Sequence, residues 1–135
     1  MASGDTGIRN EGYMRQIKEF SGLRFGSITP TDIDCFFDFS DGLFIFVELK
    51  HGDTKLPFGQ KLALERLCDA CESGGKKSCL IVARHDCPQD ENIDVSLAVV
   101  SDVRWERKWR PWRDKNDTVR DLVEKVRDWW MKDAR

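Results

Sequence analysis

Three residues, Asp34, Glu48 and Lys50, have the types and the spacing for metal-assisted cleavage of a phosphodiester. Carboxylates that face one another across a strand pair supply hard oxygen donors for Mg²⁺ or Mn²⁺. Such an ion stabilises charge on the phosphate and acidifies a water. A lysine two residues beyond the second acid shares its strand face and can position or deprotonate that water. Glu-x-Lys alone is a weak signal, because an exposed strand end with an acid–lysine pair is common. Its weight comes from the elements that must position it.

The first of these is a hairpin over Thr31–Lys50, reading TDIDCFFDFSDGLFIFVELK. Two apolar runs flank Ser40-Asp41-Gly42, and a three-residue loop with Gly last, in the left-handed conformation, closes many hairpins. That loop predicts Phe39 opposite Leu43, Asp34 opposite Glu48 and Asp32 opposite Lys50. One face then carries Ile33, Cys35, Phe37, Phe39, Leu43, Ile45, Val47 and Leu49. The other carries Phe36, Phe44 and Phe46 near the turn, with Asp34, Glu48 and Lys50 at the open end. A two-residue Asp-Gly turn would shift the register by one and mix polar with apolar residues on both faces.

Along the rest of the chain, residues 1–9 read as a disordered lead-in and 10–135 as a single domain. A short helix is expected over Asn10–Phe20 and a strand over Leu23–Thr29, before the Thr29-Pro30 turn. After the hairpin, His51–Pro57 is a loop. A helix over Pro57–Glu72 follows, with Leu62, Leu64, Leu67 and Ala70 as its apolar positions and Ser73-Gly74-Gly75 as its stop. Ser78–Arg84 (SCLIVAR) reads as a buried strand, so strand, helix and strand form a βαβ unit with parallel pairing. A loop over Cys87–Asn92 leads to a strand over Asp94–Arg104. The last element is a helix over Asp117–Met131, with Val119, Leu122, Val123, Val126 and Trp130 as its stripe and Thr118/Asp121 as a capping box.

Composition removes several classes of function. The net charge of −2 excludes a bulk-basic nucleic-acid binder, although residues 1–60 hold six basic against nine acidic side chains and 101–135 hold eleven against eight. A basic surface on an acidic protein is therefore available. No apolar run reaches the length of a membrane span. Five cysteines, an odd number with no secretory apolar segment before them, imply reduced thiols and a cytoplasmic setting.

The acid, the hairpin and the Glu-x-Lys at the end of the next strand resemble the PD-(D/E)xK nuclease superfamily, which has the restriction-endonuclease-like fold. The resemblance covers roughly Met14–Val82. It implies an α/β fold whose mixed central sheet, a hairpin plus a parallel crossover strand, is flanked by helices. It also implies a Mg²⁺- or Mn²⁺-dependent hydrolase of DNA, with Asp34, Glu48 and the Leu49 main-chain carbonyl on the metal and Lys50 assisting the nucleophile. Many members place a glutamine early in the next helix, where Gln60 stands; the alternative for Gln60 is an ordinary exposed helix residue. Ile33 occupies the place of the pattern's proline, which leaves Asp32 as a rival or additional ligand. Leu64 replaces a tyrosine found in the exonuclease branch. The junction-resolving branch adds a glutamate from the first helix, for which Glu11 and Glu19 are the candidates.

The basic-aromatic stretch RWERKWRPWRDK is the second constellation. Arg104, Arg107, Lys108, Arg110 and Arg113 are candidates to hold a DNA backbone, and Trp105, Trp109 and Trp112 can stack on bases or pack under the last helix. Cys68, Cys71, Cys79 and Cys87 read as small core thiols before a zinc set. His51 and His85 receive no role. Trp129-Trp130 suits either a homodimer or docking on the protein's own sheet. The rival reading of the whole chain is a non-catalytic module that binds nucleic acid or protein, and an RNase or a branched-DNA nuclease would carry the same motif.

Overall fold

The apolar runs within Cys35–His51, whose successive side chains point to opposite faces, build the core of the computed structural model, which describes Gln16 and residues 19–133. Strands β1 (Cys35–Phe39) and β2 (Leu43–His51) pair antiparallel with Phe39 opposite Leu43 and Cys35 opposite Val47. This is the register expected from the three-residue loop. The left-handed residues are Ser40 and Asp41, however, and not Gly42. Gly42 is required for another reason: a Cβ there would collide with the indole of Trp130. The aspartate carboxylate of Asp38 accepts from the Asp41 amide at 2.8 Å, which holds the tight turn.

Helix α1 (Phe58–Ser73) crosses over to β3 (Lys77–His85), which lies parallel to β2 with Glu48 beside Val82 and Lys50 beside Arg84. The expected βαβ unit is present. Strands β4 (Val99–Trp105) and β5 (Lys108–Pro111) continue the sheet antiparallel, giving a mixed sheet in the order β1-β2-β3-β4-β5. The strand expected from Asp94 starts later. Asp94 instead accepts the Ser96 amide and caps a 3-10 turn over Val95–Leu97.

Helix α2 (Val119–Asp133) starts at a reciprocal capping box. The Thr118 amide donates to Asp121 Oδ2 at 3.1 Å, and the Asp121 amide donates to Thr118 Oγ1 at 3.2 Å. Its Val119, Leu122 and Val123 bury against Leu43, Ile45, Val47, Cys79 and Ile81. Leu64 and Cys68 of α1 bury against Phe46 and Leu80, the side chains of opposite parity. The two helices therefore cover opposite faces of one sheet. The buried stripe of α1 differs from the expected one: Leu67 and Ala70 are exposed, and Leu64, Cys68 and Cys71 face the sheet.

The chain divides between Thr31 and Asp32 into two compact units. The strand expected over Leu23–Thr29 is not formed. Phe25 and Ile28 bond each other's main chain across a tight turn at Gly26, whose φ of 64° is left-handed. The lead-in over 1–9, Glu11 and most of the helix expected over 10–20 lie outside the described residues. Among the described residues no helix is long and apolar enough to cross a membrane.

Candidate active site

The acids and the lysine stand on the α1 face of the sheet, at the carboxyl end of β2. Glu48 is only 1% exposed, because its strand is flanked by β1 and β3 and covered by α1. Gln60 comes four residues before Leu64 and eight before Cys68, so it shares the buried stripe of α1 and points at the sheet. Its Nε2 donates to Glu48 Oε2 at 2.7 Å, and its Oε1 accepts from Lys50 Nζ at 3.1 Å. This orientation of the amide matches a donor to the carboxylate and an acceptor to the ammonium; the reverse would oppose like groups. Gln60 is thus a bridge between two of the expected catalytic residues.

Asp34 joins from the other side. The β1 ladder ends at Cys35 and the chain bends at Asp34, so Asp34 approaches Glu48 and Leu49 through main-chain amides and not as a ladder pair. The Asp34 amide donates to Glu48 Oε1 at 3.3 Å, and the Leu49 amide donates to Asp34 Oδ2 at 2.8 Å. The cross-strand pair expected between Asp32 and Lys50 does not form, because the bend takes Asp32 out of the ladder. Asp32 still acts at a distance, as one of the negative charges that oppose ionisation of Glu48.

The Glu48 carboxyl is pushed up to about 7, first by burial and then by the charge of Asp34, with Lys50 acting weakly the other way. A buried carboxylate beside a second carboxylate, with its lysine turned to a neutral amide, lacks a full counter-charge. That deficit suits a divalent cation. Among the described residues no three His, Cys, Asp or Glu side chains form a metal-binding group. The two carboxylates present, Asp34 and Glu48, are of the kind that fits Mg²⁺, an ion that keeps several waters and takes one or two protein carboxylates plus substrate phosphate.

The basic-aromatic stretch does not act as one surface. Residues β4 to β5 form a hairpin turning at Glu106 and Arg107, both left-handed, and alternation splits the stretch between the two faces. Arg104 faces α1, is 7% exposed and donates to Asp69 Oδ1 at 2.8 Å. This runs against its expected role: Arg104 is buried and committed to Asp69, a carboxylate at the protein surface. Arg107 lies 3.9 Å from the same carboxylate. Trp109, also on the α1 face, donates to Glu65 through Nε1 and carries Lys61 Nζ over its ring at 5.4 Å. Arg110 and Trp112 belong to the α2 face with Trp105, and Lys108 pairs with Trp105 in the ladder. Arg113 lines a groove with Trp112 and Asp114 beyond β5.

On the same face of the sheet, Lys55, Lys61 and Arg84 line a cleft of about 270 Å³ together with Val82, Asp102 and Trp109. Val82 is the lateral neighbour of Glu48 in the sheet, although none of Asp34, Glu48, Lys50 and Gln60 lines the cleft itself. Arg84 also fastens the loop after β2, through the carbonyls of Gly52 and Thr54. The sequence carried one usable signal for this set: parallel pairing of Glu48-x-Lys50 with the next strand sets Arg84 beside Lys50. Lys55 and Lys61 required knowledge of the loop and helix positions.

The remaining candidates fall elsewhere. Glu19 binds its own neighbour, accepting from Ser21 Oγ at 2.6 Å and from the Ser21 amide at 3.0 Å. His51 and His85 are lateral neighbours with ring centroids 5.3 Å apart. Cys68 and Cys79 are buried, and burial pushes the Cys68 thiol up to about 11. Searches against protein-family models, curated proteins and solved structures return no match to this chain.

Proposed function

We propose that this chain is a Mg²⁺- or Mn²⁺-dependent nuclease that hydrolyses DNA phosphodiesters on the PD-(D/E)xK, restriction-endonuclease-like plan. The observation that carries the proposal is the relay Lys50–Gln60–Glu48 beside Asp34, at 3.1 and 2.7 Å, on a buried acid with no full counter-charge of its own. A purely structural glutamine would not need to meet both the acid and the lysine of the motif.

In this reading Asp34, Glu48 and the Leu49 carbonyl hold the ion, which when bound offsets charge on the phosphate and acidifies water. Gln60 fixes the rotamers of Glu48 and Lys50, so that neither reorients when substrate enters. Lys50 holds the attacking water near the phosphate or takes its proton. Lys55, Lys61 and Arg84 neutralise the flanking phosphates of the strand, a task that the two acids would otherwise oppose. The architecture supports the proposal through the hairpin, crossover helix and parallel strand in succession. It differs from the expected plan in lacking the strand expected over Leu23–Thr29 before the hairpin. The free thiols accord with action in the cytoplasm.

The test is a substrate panel of supercoiled plasmid, linear duplex, single-stranded DNA, four-way junction and RNA, each with Mg²⁺, Mn²⁺ or EDTA. Cleavage of DNA that needs the ion and disappears in folded Glu48→Ala and Lys50→Ala proteins is the expected result. Full cleavage by either purified variant, or in EDTA, would overturn the proposal.

A further inference from the structure

The α2 face holds a cavity that the nuclease reading leaves unused. About 260 Å³ in size, it lies between the sheet and α2, floored by Cys79, Val103 and Leu122 and walled by Trp105, Trp112 and Trp129. These walls are held in place. Trp105 and Trp129 meet edge to face with centroids 5.1 Å apart. Trp112 Nε1 donates to Asp117 Oδ2 at 2.9 Å, and Lys125 Nζ bonds both oxygens of that carboxylate at 3.0 and 2.8 Å. Indoles packed only to fill a core would close on one another; here Trp129 remains 41% exposed beside an open, apolar space.

The charges at this cavity differ in their commitments. Lys125 is neutralised by Asp117, which is nearly buried and whose carboxyl is held below its ordinary range first by that lysine. Arg110 lines the same cavity and is exposed, and among the described residues its guanidinium has no side-chain hydrogen bond or ion pair. An indole-walled space with one uncommitted guanidinium selects a flat ring system that carries a negative group. Its volume is just under the range of about 300–1,000 Å³ that accepts drug-sized ligands, which favours one ring system over a stacked pair.

We infer that this cavity is a binding site for a single nucleotide unit, its base among Trp105, Trp112 and Trp129 and its phosphate on Arg110. The site lies on the opposite sheet face from Glu48, so it is distinct from the candidate active site and does not rest on nuclease activity. A free nucleoside monophosphate and the phosphorylated end of a single strand share this chemistry.

The experiment titrates the full chain in EDTA with dAMP, dTMP, the corresponding nucleosides and inorganic phosphate, followed by tryptophan fluorescence and calorimetry. A short 5′-phosphorylated oligonucleotide forms a further arm. Saturable binding of the monophosphates is expected, weaker by about tenfold or more for the nucleosides and for Arg110→Gln. Val126→Phe, which narrows the cavity from α2, should weaken dAMP to a similar degree, and circular dichroism should show both variants folded. Glu48→Gln should bind as the wild type does, which separates this site from the acids. Competition by the oligonucleotide would identify a strand end as the source, and its failure to compete would identify the free nucleotide. No saturable binding of either monophosphate, equal binding of nucleoside and nucleotide, or unchanged affinity in both Arg110→Gln and Val126→Phe would overturn the inference.

Discussion

The two faces of the sheet are built from the same strands yet solve opposite problems. On the α2 side, Leu43, Ile45, Val47, Cys79 and Ile81 meet Val119, Leu122 and Val123 in a continuous apolar layer. On the α1 side, the layer of Phe46, Leu80, Leu64 and Cys68 gives way toward the carboxyl end of β2 to Glu48, Lys50 and Gln60. Burial stabilises the first face and destabilises the charged form of the second. The cost of burying Glu48 beside Asp34 falls on the α1 side, and the continuous apolar layer on the α2 side is not asked to meet any such charge.

Cutting into each face should separate the two roles. The largest expected effect is Glu48→Ala, which should lower metal-dependent DNA cleavage by about 10³-fold or more while thermal unfolding shows the fold retained. Leu122→Ala on the other face should do the reverse. Loss of about 2–5 kcal/mol in urea unfolding is expected, with near-normal activity of the molecules that remain folded.

Third comes pH. The Glu48 carboxyl is raised from 4.5 to about 7 in the folded protein. The native state therefore binds the proton more tightly than the unfolded chain. Its contribution to stability is full below the unfolded value and is lost as pH rises toward 7. In EDTA, stability should fall across that window by on the order of 2–3 kcal/mol. Adding Mg²⁺ at pH 7.5 should restore it, and Glu48→Gln should show neither the fall nor the recovery. A flat profile for the wild-type protein would place Glu48 in a well-compensated environment and remove the argument for an ion.

Smaller effects test the support around the acids. Gln60→Ala should cost about 10–100-fold in kcat, the usual effect of removing a group that orients a metal ligand. Gln60→Glu should be worse still, because it sets a third carboxylate against Glu48. Lys61→Ala should weaken DNA binding uniformly across sequences and reduce the slope of log affinity against log salt by about one. If Arg104→Ala instead produced that signature with no loss of stability, the division of the basic stretch between the faces would be wrong.

The hairpin was legible because period-two alternation has one register that keeps Ile45 and Val47 apart from Glu48 and Lys50. Parallel pairing of β2 and β3 followed from an intervening helix of crossover length. The α1 stripe was less legible. Leu62, Leu64, Leu67 and Ala70 are apolar, yet only Leu64 among them is buried, since small cysteines fill the positions nearest the sheet. Nothing local in RWERKWRPWRDK shows that it turns at Glu106-Arg107, so how its cations and tryptophans divide between the two faces was not legible.

The sequence by itself determined the hairpin register from Cys35 opposite Val47 to Phe39 opposite Leu43, the crossover that follows it and the capping of the last helix, all short-range consequences of side-chain period and turn chemistry, whereas Asp34 meets Glu48 from a bend beyond the ladder. Only the tertiary structure decided the rest. It turned Gln60 inward to join Lys50 and Glu48, took Arg104 into an ion pair with Asp69, gathered Lys55, Lys61 and Arg84 around one cleft, and left an open cavity among three tryptophans on the far side of the sheet. These outcomes depend on which face a residue presents and what arrives opposite it from a distant part of the chain, and no local pattern carries that information.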